Sequence, residues 1–154
     1  MRQTFLLDEN ILYHAIRRVD KHNIPDSTAA ELIDAIGEIC HVIFVHPTLI
    51  DRYQTALKKL RQHPPRSEEA KDFLKQLLYN NLKRTLEYSE LPDLPPGVQV
   101  PRKDEHIVRA ALISRPTIVA EDSDLLEAIN NQPELGLQAM DARMALEFAK
   151  SEQP

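Results

Sequence analysis

Short apolar runs alternate with stretches of helical periodicity along this chain, and that alternation leaves few folds open. Thr4-Phe5-Leu6-Leu7, Val42-Ile43-Phe44-Val45 and Thr117-Ile118-Val119-Ala120 are continuous apolar runs, the pattern of strands buried within a sheet. Strands separated by helices build βαβ units and a parallel sheet. Two of the runs end in acids. Asp8 closes the first, and Asp122 and Asp124 follow the third; Asp104 opens the helical stretch just before it. In a parallel sheet these carboxyl ends share one edge, where open α/β sheets bind ligands. Carboxylates gathered there repel one another unless a divalent cation neutralises them. Metal-dependent phosphodiester chemistry is therefore the leading expectation.

Between the runs, Ile11, Ala15, Ile16 and Val19 mark a helix that Pro25 breaks. Thr28-Ala29-Ala30-Glu31 has the form of a capping box, with Leu32, Ile33, Ile36 and Ile39 following at helical spacing. Pro47 ends the second strand, and Thr48 opens a helix through Leu60 that Pro64-Pro65 stops. Ser67, with Glu68 and Glu69 in the first turn, caps a helix through Ala70, Phe73, Leu74, Leu77 and Leu78 towards Leu82 and Leu86. Residues 91–97 read as a loop and Val98–Val100 as a short strand. Asp104 starts a helix ended by Arg115-Pro116. A short helix over 124–129, a strand over 135–140 and a helix over 142–150 complete the reading.

The 154 residues fit one domain, and 42% hydrophobic content suffices for one core. No apolar run approaches a membrane span, and the first is broken at Asp8, unlike a signal peptide. The single cysteine, Cys40, excludes an internal disulfide, fits a cytosolic compartment, and reads as a small buried apolar residue. The net charge of -5 is unevenly spread. From Arg52 to Arg84, nine basic residues face three acids, a net +6 that leaves -11 on the rest of the chain. Such asymmetry suits a basic face for a polyanion beside an acidic region.

Three segments, taken in order, resemble the small prokaryotic PIN domain: Phe-Leu-Leu-Asp-Glu-Asn at 5–10, Lys-Asp-Glu-His-Ile-Val-Arg-Ala-Ala at 103–111, and Thr-Ile-Val-Ala-Glu-Asp-Ser-Asp-Leu-Leu at 117–126. Val-His-Pro-Thr-Leu-Ile-Asp-Arg-Tyr at 45–53 resembles that family's second strand and helix. The resemblance spans 1–154 and implies a three-layer α/β/α fold with a central parallel sheet of four to five strands. It implies Mg²⁺ or Mn²⁺ at Asp8, Asp104 and Asp122, bound directly or through water, with Asp124 as an outer ligand and Asn10 orienting Asp8. The implied activity is cleavage of single-stranded RNA in the cytoplasm, in many relatives as the toxin of a toxin–antitoxin pair, with a homodimer and an antitoxin protein as partners.

Two positions depart from the family pattern. Arg52 stands where a Glu precedes the Tyr; neighbouring Asp51 is rotated about 100° around the helix and does not substitute. Ala120 stands in place of the usual Thr before Asp-x-Asp, with Glu121 in the glycine position, and Glu121 either adds a ligand or is solvated. Arg52 turned into the site would compete with a metal. An alternative is thus a PIN-like binding module with a degraded site. A third reading, an unrelated α/β domain, makes every one of these acids a helix cap.

Overall fold

The computed structural model describes residues 2–60, 72, 75, 76, 78–80 and 82–151. It is a mixed α/β fold in three layers, with a five-stranded, wholly parallel sheet at the centre. Strands β1 (Thr4–Leu7), β2 (Val42–Val45), β3 (Arg84–Leu86), β4 (Thr117–Val119) and β5 (Ala139–Met140) lie in the order β3-β2-β1-β4-β5. Chain order runs outward from β1 to β3, then returns to β4 on its other side. The switch point is therefore the β1–β4 pair, in register Phe5↔Thr117, Leu6↔Ile118 and Leu7↔Val119.

Helices α1 (Glu9–Arg17), α2 (Thr28–Glu38) and α3 (Pro47–Leu60) fill the crossovers on the first side, and α4 (Glu105–Ser114) and α5 (Ser123–Asn130) those on the second. Right-handed crossovers place these two groups on opposite faces of the sheet. The last helix, α6 (Ala142–Ser151), packs against α2. Covered on both sides, β1, β2 and β4 need apolar residues at nearly every position, and Phe5, Leu6, Leu7, Ile43, Phe44, Val45, Ile118 and Val119 are fully buried. Phe5 meets the edges of His41 and Phe148 at ring separations of 5.6 and 6.2 Å. His41 accepts from the Gln3 amide at Nδ1 and donates from Nε2 to Ala149 O at 2.9 Å, which ties β2 to α6. Among the described residues no helix is long and apolar enough to cross a membrane.

Several expectations are corrected. The helix read from 67 towards Leu86 does not reach that far: Asn80 closes it, its side chain accepting the Leu82 amide, and 84–86 become β3 on the open edge of β2. The caps and apolar positions expected at Ser67, Glu68, Glu69, Ala70, Phe73, Leu74 and Leu77, the Pro64-Pro65 stop, and Arg61, Arg66 and Lys71 of the basic span lie outside the described residues. Val98–Val100 is not a strand. Its chain turns at Gly97 (φ 83°), and the Gln132 amide takes up both backbone groups of Gln99. The expected strand over 135–140 shortens to Ala139–Met140, because Pro133–Leu135 forms a 3₁₀ turn ended by Gly136 at φ 63°. Ser27 rather than Thr28 stands at the N-cap position of α2, its hydroxyl donating to the Glu31 carboxylate instead of taking up a helix amide, and Cys40, past the helix end, is exposed rather than buried.

Lys83 shows that part of the basic span is structural. Its Nζ donates to Ile36 O at 3.1 Å and Ile39 O at 2.5 Å, satisfying carbonyls left over at the end of α2. Lys83→Met should cost about 1–2 kcal/mol in urea unfolding. A loss within error would make these contacts energetically idle.

Candidate functional site

The carboxyl edge at the switch point gathers the acids. Asp8 leaves β1 level with Ala120, its amide donating to Val119 O at 3.0 Å, and its side chain is 3% exposed. It stands at the N-cap position of α1, yet its carboxylate makes no cap hydrogen bond. Asp104 likewise stands before α4 without capping it, and is buried. Capping therefore does not explain either residue. Asn10 Nδ2 approaches Asp8 Oδ2 at 3.4 Å, the expected orienting contact. Asp8 Oδ1 and Asp104 Oδ2 are buried without a partner, as are Glu9 Oε2 and His106 Nε2.

The electrostatics follow from this crowding. Burial raises the Asp8 pKa to about 9, and the neighbouring Glu9 and Asp104 carboxylates push the same way. Burial also raises Asp104, with Asp122 adding repulsion. Burial pushes Glu9 up, but the adjacent Asp8 carboxyl, with His106 and Arg52 nearby, leaves it below its ordinary value. Burial, then the Arg52 charge, holds His106 low.

Two cations border the cluster. Lys103 Nζ is 2.6 Å from Asp122 Oδ2 and draws the Asp122 pKa down. Arg52 Nη1 is 3.4 Å from Glu9 Oε1. Asp122 also caps α5, its Oδ1 accepting from the amides of Asp124 and Leu125 at 2.9 and 3.3 Å. Both its oxygens are thus engaged, while Asp124 is exposed and within reach of the Lys103 charge. Among the described residues, no three His, Cys, Asp or Glu side chains converge as a ready-made metal cage.

Glu121 does not join the cluster. Successive side chains of extended backbone point to opposite sides, and this one accepts the Ala142 amide at 3.0 Å in a separate pocket with His14, Asp20, Asp26 and Arg143. A groove of about 430 Å³ between α1 and α3 opens beside the acids, lined by Glu9, Asn10, Tyr13, Arg52, Thr55 and Lys59. Below it Tyr53 is fully buried and its hydroxyl donates to Leu7 O, fixing the end of β1. His46 is structural: Nδ1 accepts the Thr48 amide and Nε2 donates to Ser89 O.

Glu9 goes unremarked inside the first motif, and His106, which a PIN-like fold puts near the acids, has no ligand-like spacing and reads more readily as a surface or core residue. No family model, curated protein or solved structure gives a significant match to the chain.

Proposed function

We propose that this chain is a PIN-like, metal-dependent endoribonuclease that cleaves single-stranded RNA in the cytoplasm. The observation that carries the reading is the pair of buried, unpartnered carboxylate oxygens, Asp8 Oδ1 and Asp104 Oδ2, at the sheet's switch point. Oxygen donors that repel one another fit a hard divalent cation, Mg²⁺ or Mn²⁺. Asp8 and Asp104 would hold it, with Asp122 joining through water or after leaving Lys103, and Asp124 further out. Asn10 keeps the Asp8 carboxylate turned to the site. When bound, the ion supplies a water nucleophile at neutral pH and offsets charge building on the phosphate. Exposed Lys58, Lys59 and Lys75 add attraction for a phosphate backbone. The family resemblance extends the reading to a toxin that acts as a homodimer and is restrained by an antitoxin protein.

The test is a pool of random-sequence single-stranded RNA incubated with Mn²⁺ or Mg²⁺. The native chain should cut it, EDTA should stop the cutting, and double-stranded RNA should stay whole. A folded chain that cuts nothing with either ion overturns the proposal.

A second reading, a PIN-like module that binds RNA or protein without cutting, is favoured by the two fixed cations. Lys103 on Asp122 and Arg52 on Glu9 each set a positive charge where a metal would act. It predicts RNA binding that weakens steeply with salt and no metal-dependent cleavage.

A further inference from the structure

The groove beside the acids, about 430 Å³ between α1 and α3, lies within the size range of small-ligand sites and has no role in the chemistry above. Its walls follow from helix periodicity. On α3, Arg52, Thr55 and Lys59 recur at spacings of three and four residues, so they share one face. On α1, Glu9 and Tyr13 are four residues apart and form the opposite wall with Asn10. Two cations against one acid give this lining a positive balance, on a chain whose net charge is -5.

Both cations are able to turn to a ligand. Among the described residues, no hydrogen bond or ion pair engages Lys59. Arg52 is half-exposed and meets Glu9 in a single 3.4 Å contact. An exposed contact of that kind contributes little, so a phosphate displaces it at small cost. Tyr13 supplies the aromatic wall. Arg17 Nη1 donates to its hydroxyl at 2.8 Å, and the guanidinium carbon lies 5.4 Å from the ring centroid, which steadies the ring before a ligand arrives. Asn10 belongs both to the groove and to Asp8, whose Oδ2 its amide approaches at 3.4 Å. The groove therefore runs into the acid cluster.

We propose that this groove holds the nucleotide next to the scissile phosphate of single-stranded RNA, with Arg52 and Lys59 gripping backbone phosphates and Tyr13 stacking on the base. This rests on the RNA-cleaving reading for its substrate but needs no metal for binding. Single-stranded RNA repeats a negative charge and a flat ring in every unit, and positive grooves with an aromatic wall hold it by those two features. Arg52 and Lys59 stand about 10 Å apart along the α3 axis, a separation that suits two phosphates of one strand. Arg52 thereby gains a task of its own: it leaves Glu9 and becomes a phosphate contact when the strand arrives.

Fluorescence anisotropy of a short, end-labelled, mixed-sequence single-stranded RNA tests this, titrated with the full chain in EDTA at several salt concentrations. The native chain should bind. Arg52→Gln and Lys59→Gln should each weaken binding about fivefold and flatten the slope of log Kd against log salt by about 0.7. Tyr13→Leu keeps an apolar side chain against the core and should weaken binding about tenfold with the salt slope unchanged, whereas Tyr13→Phe keeps the ring and should bind as the native chain does. Lys150→Gln on α6, outside the groove, removes the same charge and should change neither affinity nor slope. Cation variants that behave like Lys150→Gln, or a Tyr13→Leu chain that binds like the native one, overturn this inference and spare the nuclease reading. A native chain that binds no RNA overturns it too; if that chain also cuts none with Mn²⁺ or Mg²⁺, the nuclease reading falls with it.

Discussion

Asp8→Asn should stabilise the metal-free protein at pH 7.5 by on the order of 2 kcal/mol while abolishing metal-dependent cleavage, roughly a hundredfold loss or more. Both effects have one cause. The folded Asp8 pKa is about 9 against an ordinary 3.8, so the folded state binds the proton more tightly than the unfolded chain does. Its favourable contribution is complete below about pH 3.8 and is lost progressively as pH rises towards 9. Asparagine keeps the shape and needs no proton. The stability advantage of the variant should therefore vanish near pH 4 and grow steadily to about pH 9. Urea unfolding at a series of pH values measures it. A variant less stable than the native chain at pH 7.5 would mean that Asp8 serves the fold and not a site.

Tyr53→Ala should be the most damaging single change outside the acids, costing about 3–5 kcal/mol. Tyr53 is among the largest fully buried side chains and packs within the central core. Tyr53→Phe separates packing from the hydroxyl. It keeps the ring, removes the hydrogen bond to Leu7 O, and should cost about 1–2 kcal/mol. Burial, reinforced by Asp8 and Glu9, holds the phenol pKa far above its ordinary value, so the hydroxyl remains a donor. Because Leu7 immediately precedes Asp8, the Phe variant should also weaken Mn²⁺ binding. Equal stability of Tyr53→Phe and the native chain would show that the hydroxyl contributes nothing.

Sequence alone was enough to read the elements whose residues answer to one dominant force. β1, β2 and β4 are covered on both faces, so burial writes an unbroken apolar run into each. α1 carries its buried residues at 11, 12, 15 and 16, a plain helical stripe. β3 was hidden because Arg84, Thr85 and Leu86 are half-buried and strand-like only through pairing with β2. Asp8 and Asp104 were legible from their places at the ends of elements. Glu121 misled because it sits in the same motif, yet alternation along the extended chain turns it to the opposite side. Asp122 was read as a ligand, and its oxygens are taken up by a helix cap and Lys103. Glu9 and His106 carry no telling spacing; one buried, unpartnered atom on each, Glu9 Oε2 and His106 Nε2, is a property of the assembled neighbourhood.

A crystal of the native chain soaked in MnCl₂, with data collected for anomalous scattering from manganese, tests the cation site most directly. The expected result is a strong peak within coordination distance of Asp8 and Asp104 at the carboxyl edge between β1 and β4. A map with no peak there, with Lys103 still on Asp122, would contradict a metal-dependent site on this sheet.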